Sequence, residues 1–206
     1  MQTRSKLRQP DRGPGRPREF DMDSALDAAI LVFRERGYHA ASLGELGAAM
    51  ELTTGSIYKA FADKQAIFLA AFDRYVLLRD AQLRPLLAEA TTGFDKLRRL
   101  MHFYADASYG AEGRRGCLVV GSATDLATFD PEIAGRVIAA VKRIETLLRD
   151  LIRLGQTDGS VASSIDAEAT ARALLCLLEG LRVVGKLGRS RAEMTSAADQ
   201  ALRMLA

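Results

Sequence analysis

A-S-L-G-E-L-G-A-A-M-E-L-T-T-G-S-I-Y-K-A-F-A-D-K, residues 41–64, is the stretch on which the fold turns. Ser42 and Glu45 stand at the S-x-x-E spacing of a capping box, so a helix starts there. Leu43, Leu46 and Met50 follow at i, i+3 and i+7 and mark one buried face. The polar run Glu51, Thr53 and Thr54, with Leu52 as an apolar plug, interrupts that helix, and Thr53 is placed to cap a second. Ile57 and Phe61 give the second helix its inward stripe, leaving Thr54, Gly55, Ser56, Tyr58 and Lys59 outside. A helix this short is not stable alone. Two such helices around a shared plug, the second presenting hydroxyls, a tyrosine and a lysine, form a helix-turn-helix suited to a DNA major groove.

Upstream, Leu26, Ala29, Ile30 and Phe33 form the stripe of a packing helix that starts at an Asp21 or Asp23 cap and is expected to end at Gly37. Residues 1–20 carry six cations, Arg4, Lys6, Arg8, Arg12, Arg16 and Arg18, against Asp11 and Glu19. With so little to bury they are expected to form a disordered basic arm, in which Arg16 and Arg18 suit a narrow minor groove. Residues 21–63 then make the DNA-binding domain. Lys64, beside the amides that open the next helix, is placed to hold a phosphate.

Residues 64–206 are expected to form a larger helical domain. Asp63 caps a long helix with Ile67, Phe68, Ala71, Phe72, Tyr75 and Leu78 along one side, kinked or ended at Pro85. Further helices are expected over about 94–109, 117–127, 131–157, 166–187 and 191–205, with a loop at 110–116. The eighth is apolar on more than one face. A helix of that kind must be covered on both sides, so Leu174, Leu177, Leu178, Leu181 and Val184 are expected at a dimer interface.

The chain has 206 residues, 48% of them hydrophobic, only 5 prolines and no sustained strand-like alternation. An all-α protein follows. A formal charge of +3 is too weak to argue for nucleic acid by itself; its concentration in the arm says more. Two cysteines and two histidines supply neither a zinc ligand set nor a disulfide framework, so no metal and no cofactor are expected, and a reducing cytoplasm fits. No apolar run of membrane-spanning length occurs, so no membrane partner is expected. A phosphate loop, H-E-x-x-H and a nucleophile elbow are all missing, and His39 and His102 have no evident acid partner. Catalytic residues are therefore not assigned, and an enzyme is the least favoured reading. A helical dimer using its helix-turn-helix on a protein is the other alternative.

Arg16-Pro17-Arg18, Phe33-Arg34-Glu35-Arg36-Gly37-Tyr38, Ala41-Ser42-Leu43 and above all Leu52 to Lys64 resemble, in order and spacing, the TetR/AcrR family of transcriptional repressors. The resemblance implies a nine-helix fold and a homodimer on a palindromic operator, released when a small molecule occupies the second domain. The DNA-binding candidates are then Arg16, Arg18, Ser42, Thr53, Thr54, Gly55, Ser56, Tyr58, Lys59 and Lys64. Leu46-Gly47 and Ala60 depart from the family pattern, and Gly44 and Gly47 each lower helix propensity by up to about 1 kcal/mol.

For the effector, Arg114-Arg115-Gly116-Cys117-Leu118 is similar to a segment found in a subgroup of electrophile and redox responders. A thiol in the first turn of a helix, two residues from an arginine, has its thiolate favoured by both. The alternative is a cysteine that packs its helix as a small apolar residue. Met101, Tyr104, Cys117, Asp125 and Phe129 are the candidate ligand residues, for a small apolar or electrophilic molecule.

Overall fold

The computed structural model describes residues 21–125 and 130–205, the side chain of Met204 apart. Among the described residues there are ten α-helices and no strand. The first four are α1 (Met22–Ala40), α2 (Leu43–Ala49), α3 (Thr54–Ala60) and α4 (Lys64–Ala88). Then come α5 (Gly93–Asp106), α6 (Gly110–Arg115), α7 (Leu118–Asp125), α8 (Pro131–Asp158), α9 (Ala167–Gly185) and α10 (Arg191–Leu202), closed by a 3-10 turn at Arg203–Leu205. Nine of these are the expected helices. The tenth, α6, stands where a loop was expected.

Most starts are fixed by the short polar side chains that the sequence offers as caps. Asp21, Thr53, Asp63, Asp130 and Asp166 accept from the first free amides of their helices, and Ser42 forms a reciprocal capping box with Glu45. Gly37 breaks α1 at φ 77°, ψ 168°, but the chain resumes one more turn to Ala40 before Ala41 donates back to the Gly37 carbonyl. Pro85 lies in the last turn of α4, which ends at Ala88.

Two hydrophobic clusters form, and α4 takes part in both. The first joins α1 to α3 and the front half of α4 with Leu118, Ile133 and Val137. The second joins Leu83 of α4 to α5, α8, α9 and α10. α1 is fastened to α4 by Arg74, whose Nε and Nη2 reach the two carboxylate oxygens of Asp27 at 2.6 and 2.7 Å, while Nη1 reaches Asp23 at 2.8 Å. Those carboxylates hold the Arg74 guanidinium well above its ordinary pKa.

α6 exists because of a contact distant in sequence. Ser108 donates to the Tyr104 carbonyl at 2.7 Å, and its backbone sits where two glycines allow close approach. A Cβ on Gly185 would lie 2.2 Å from the Ser108 carbonyl oxygen, and one on Gly113 would lie 2.6 Å from the Ser108 carbonyl carbon. Gly185→Ala is therefore expected to cost about 1–3 kcal/mol, the usual price of forcing atoms into a packed site. Its melting temperature, compared with that of Gly180→Ala, where nothing lies within 4 Å, checks this.

Candidate nucleic-acid interface and effector cavity

α3 is a seven-residue helix held from behind. Ile57 (3% exposed) and Phe61 (8%) seat it in the first cluster, worth about 1.5–3 kcal/mol each. Thr53 caps it, accepting from Ser56 N at 3.2 Å, and the two hydroxyls meet at 3.0 Å. In the turn before it, Glu51 adopts φ 55°, a left-handed conformation uncommon outside glycine, asparagine and aspartate. Gly47 brings α2 close: a Cβ there would lie 3.0 Å from Ile57 Cδ1 and 3.1 Å from the Leu52 carbonyl oxygen. Gly47 thus has a packing reason for being small; Gly44 has open space around it.

Thr53, Thr54, Gly55, Tyr58 and Lys59 are exposed and Ser56 is half-buried, as the sequence pattern requires of an outward face. Ser42 is also exposed, but its amide and hydroxyl both donate to Glu45 Oε2 at 3.0 Å. Lys64 does not stand free for a phosphate. Its Nζ donates to the carbonyls of Tyr38 (3.0 Å), Ala41 (3.2 Å) and His39 (3.5 Å) and lies 4.5 Å from the centre of the Tyr38 ring. The chain reversal between α1 and α2 supplies these acceptors, so in this conformation Lys64 ties that turn to α4. Arg16 and Arg18 lie outside the described residues.

The effector candidates separate. Tyr104 and Cys117 line one cavity of about 40 Å³ between α4, α5, α8 and α9, together with Tyr75, Val76, Arg79, Phe103, Val141, Glu179 and Arg182. That is room for roughly three waters. Met101 is fully buried in the second cluster and does not line it. Asp125 is exposed and borders a different cleft, beside Arg34, Phe68 and Leu118, which Cys117 also lines. Phe129 lies outside the described residues. His102 does have an acid partner, Asp199, with Nε2 2.7 Å from Oδ1, on the exposed face of α5 and α10.

The polar groups of the cavity went unread in the sequence. The Tyr75 hydroxyl donates to Cys117 Sγ at 3.6 Å, and burial first, then the thiol, pushes the Tyr75 phenol well up. The Tyr104 phenol is pushed up by burial and then by Glu179. The Arg79 guanidinium stacks 3.9 Å from the Phe103 ring centre. Burial drives Arg79 down and Glu179 up, each towards its neutral form. Arg182 is 2% exposed and donates to the Gly116 carbonyl at 3.0 Å and to Ser108 Oγ at 3.3 Å. A signal was present: Arg79 continues the apolar stripe of α4 one turn beyond Tyr75, and Glu179 and Arg182 interrupt the apolar run of α9.

Gly116 links the cavity to the helix-turn-helix. Besides Arg182 of α9, its carbonyl accepts from Arg34 of α1 through Nε at 2.9 Å and Nη2 at 2.6 Å. Arg34 also pairs with Glu112 of α6 at 2.6 Å. Arg115 turns to Glu35 at 3.1 Å.

The dimer candidates also separate. Leu174 and Leu178 are fully buried and Leu181 is 7% exposed, all in the protomer's own second cluster. Leu177 is 41% exposed and Val184 is half-buried; Val183 of α9 (50%) and Leu187 beyond its end (77%) are exposed as well.

A capped helix with an outward polar face, linked by the Gly116 carbonyl and by the shared helix α4 to a cavity among the later helices, defines a helix-turn-helix transcriptional regulator. Residues 25–71 match the family model for bacterial regulatory proteins of the tetR family, and residues 93–201 match the tetracyclin repressor-like C-terminal domain. The chain belongs to the TetR family of transcriptional regulators. It is 27% identical over 194 residues to the HTH-type transcriptional repressor ComR of Escherichia coli K12, covering 92% of this chain and 91% of ComR. It is 26% identical over 141 residues to the repressor BdcR of the same organism, covering 68% and 70%. Among solved structures it is similar to a cysteine mutant of the TetR family regulator CifR complexed with 26bp double-strand operator DNA. That likeness has a TM-score of 0.80 and 33% identity over 92% of this chain and 98% of the other.

Proposed function

We propose that this chain is a homodimeric, cytoplasmic repressor that binds a palindromic operator through α3 of each protomer and lets go when a small apolar or electrophilic molecule occupies the cavity beside Cys117. The observation that carries the reading is the shared carbonyl of Gly116, held by Arg34 of α1 and Arg182 of α9 next to the one cysteine in the cavity wall. An occupant larger than the cavity's 40 Å³ or so is expected to push that wall outward. The displacement then reaches α1, and the spacing of two reading helices that must match half-sites about 34–36 Å apart is lost.

Operator binding itself is tested by salt. Phosphate contacts make log affinity fall steeply with log salt, whereas a helix-turn-helix used on a protein shows little such dependence. A flat salt response would favour the protein-binding alternative.

Support for two-fold pairing comes from Leu177 and Val183 of α9 and Leu187 just beyond its end, which remain exposed after the protomer's core is complete. Leu177→Glu combined with Val183→Glu is expected to give a folded monomer in sedimentation, because two charges have no place in a desolvated interface. A dimer of unchanged strength would move the interface elsewhere.

A further inference from the structure

We infer that the occupant of the cavity beside Cys117 is a small molecule carrying both a hydrogen-bond acceptor, met by Arg79, and a hydroxyl or N–H donor, met by Glu179, on an otherwise apolar body. This rests on the reading above that the cavity is the effector site, and it narrows the effector from an apolar molecule to one with two polar ends.

Arg79 Nη2 and Glu179 Oε2 are both shut off from solvent and have no hydrogen-bond partner among the described residues. Both side chains line the same cavity, yet no ion pair joins them. Buried polar groups are almost always satisfied, and each one left orphaned costs free energy. The second guanidinium of the cavity, Arg182, has a carbonyl and a hydroxyl as acceptors, so the deficit falls on Arg79 and Glu179 alone. Of the other lining residues, Asp80 and Arg143 pair with each other and the Tyr75 hydroxyl donates to Cys117, while Val76, Leu83, Phe103 and Val141 are apolar or aromatic. Water can serve the two groups in the free protein. An occupant that displaces it must reproduce both hydrogen bonds or lose affinity, so a hydrocarbon is selected against.

A groove adjoins the cavity. Of about 270 Å³ and floored by Leu87 and Leu147, it shares Asp80, Leu83, Arg143 and Ile144 with the cavity, and the Asp80–Arg143 ion pair stands on the shared wall.

The test uses the full-length protein and three one-ring probes, read by calorimetry: benzamide, with acceptor and donor on one carbon; 4-hydroxyacetophenone, with them at opposite ends; and toluene, with neither. At least one polar probe is expected to bind about tenfold or more tightly than toluene. In Arg79→Met and in Glu179→Met that preference is expected to disappear. Both variants should melt no lower than the wild type without ligand, because each removes a buried polar atom that has no partner from the protein itself, and that readout stands even if no probe is tight. Toluene binding as well as the polar probes, or no probe binding together with lowered melting temperatures, overturns the inference. A polar probe that binds through Arg79 and Glu179 but leaves operator affinity unchanged upholds the chemistry of the cavity and instead sinks its role as the effector site.

Discussion

Tyr58→Ala is expected to weaken operator binding by about ten- to a hundredfold, the 1–3 kcal/mol typical of a lost base-edge contact, with melting temperature and dimer strength unchanged. The side chain is 58% exposed on the outer face of α3, while Ile57 and Phe61 on the inner face hold the helix. Removing it therefore touches nothing that folds the protein, and exposed substitutions of this kind usually stay within about 0.5 kcal/mol. Fluorescence anisotropy with operator DNA at several salt concentrations separates its role from that of Lys59. Tyr58→Ala should lower affinity at every salt with an unchanged slope, whereas Lys59→Ala should reduce the slope by about one. An affinity unchanged by Tyr58→Ala would remove α3 as the reading helix.

The helix-turn-helix was legible because its determinants are local. Capping side chains, the Leu43, Leu46 and Met50 stripe and the Leu52 plug all act within a few residues, and the caps at Ser42, Thr53, Asp63, Asp130 and Asp166 stand where the sequence puts them. What failed to read was set by contacts distant in the chain. Two glycines and two arginines make residues 110–115 look like a loop; packing of Gly113 and Gly185 on Ser108 makes them a helix. Lys64 lies beside the reading helix in sequence, but the turn after α1 brings three carbonyls to its ammonium. The apolar period of α9 marks its faces and cannot say whether the cover comes from its own chain or another. Leu174, Leu178 and Leu181 proved to be covered from within. Arg79 and Glu179 were visible as charges inside apolar stripes, and the sequence pattern alone did not bring the two stripes together.

Arg34 carries the second large expectation. It is the only side chain of α1 that donates to the Gly116 carbonyl among the described residues, and α1 is in turn fastened to α4 by Arg74. Arg34→Met keeps most of the volume and removes the guanidinium. Gly116 retains Arg182 as a donor, so no carbonyl is left orphaned. The helix-turn-helix still has the whole first cluster behind it. The variant is thus expected to bind operator but to be deaf to the cavity, because the two regions lose the hydrogen bonds through which a displaced Gly116 pulls on α1. Allosteric couplings are typically worth 1–3 kcal/mol, roughly 5- to 150-fold in affinity, and this is the range at stake.

The decisive measurement is the ratio of operator dissociation constants with and without N-ethylmaleimide, taken in a Cys176→Ser background so that the reagent reports on Cys117 alone. The structure predicts a ratio of about tenfold or more with Arg34 present, falling below about twofold in Arg34→Met. An operator affinity indifferent to alkylation with Arg34 present, or the same ratio in both proteins, would contradict the account.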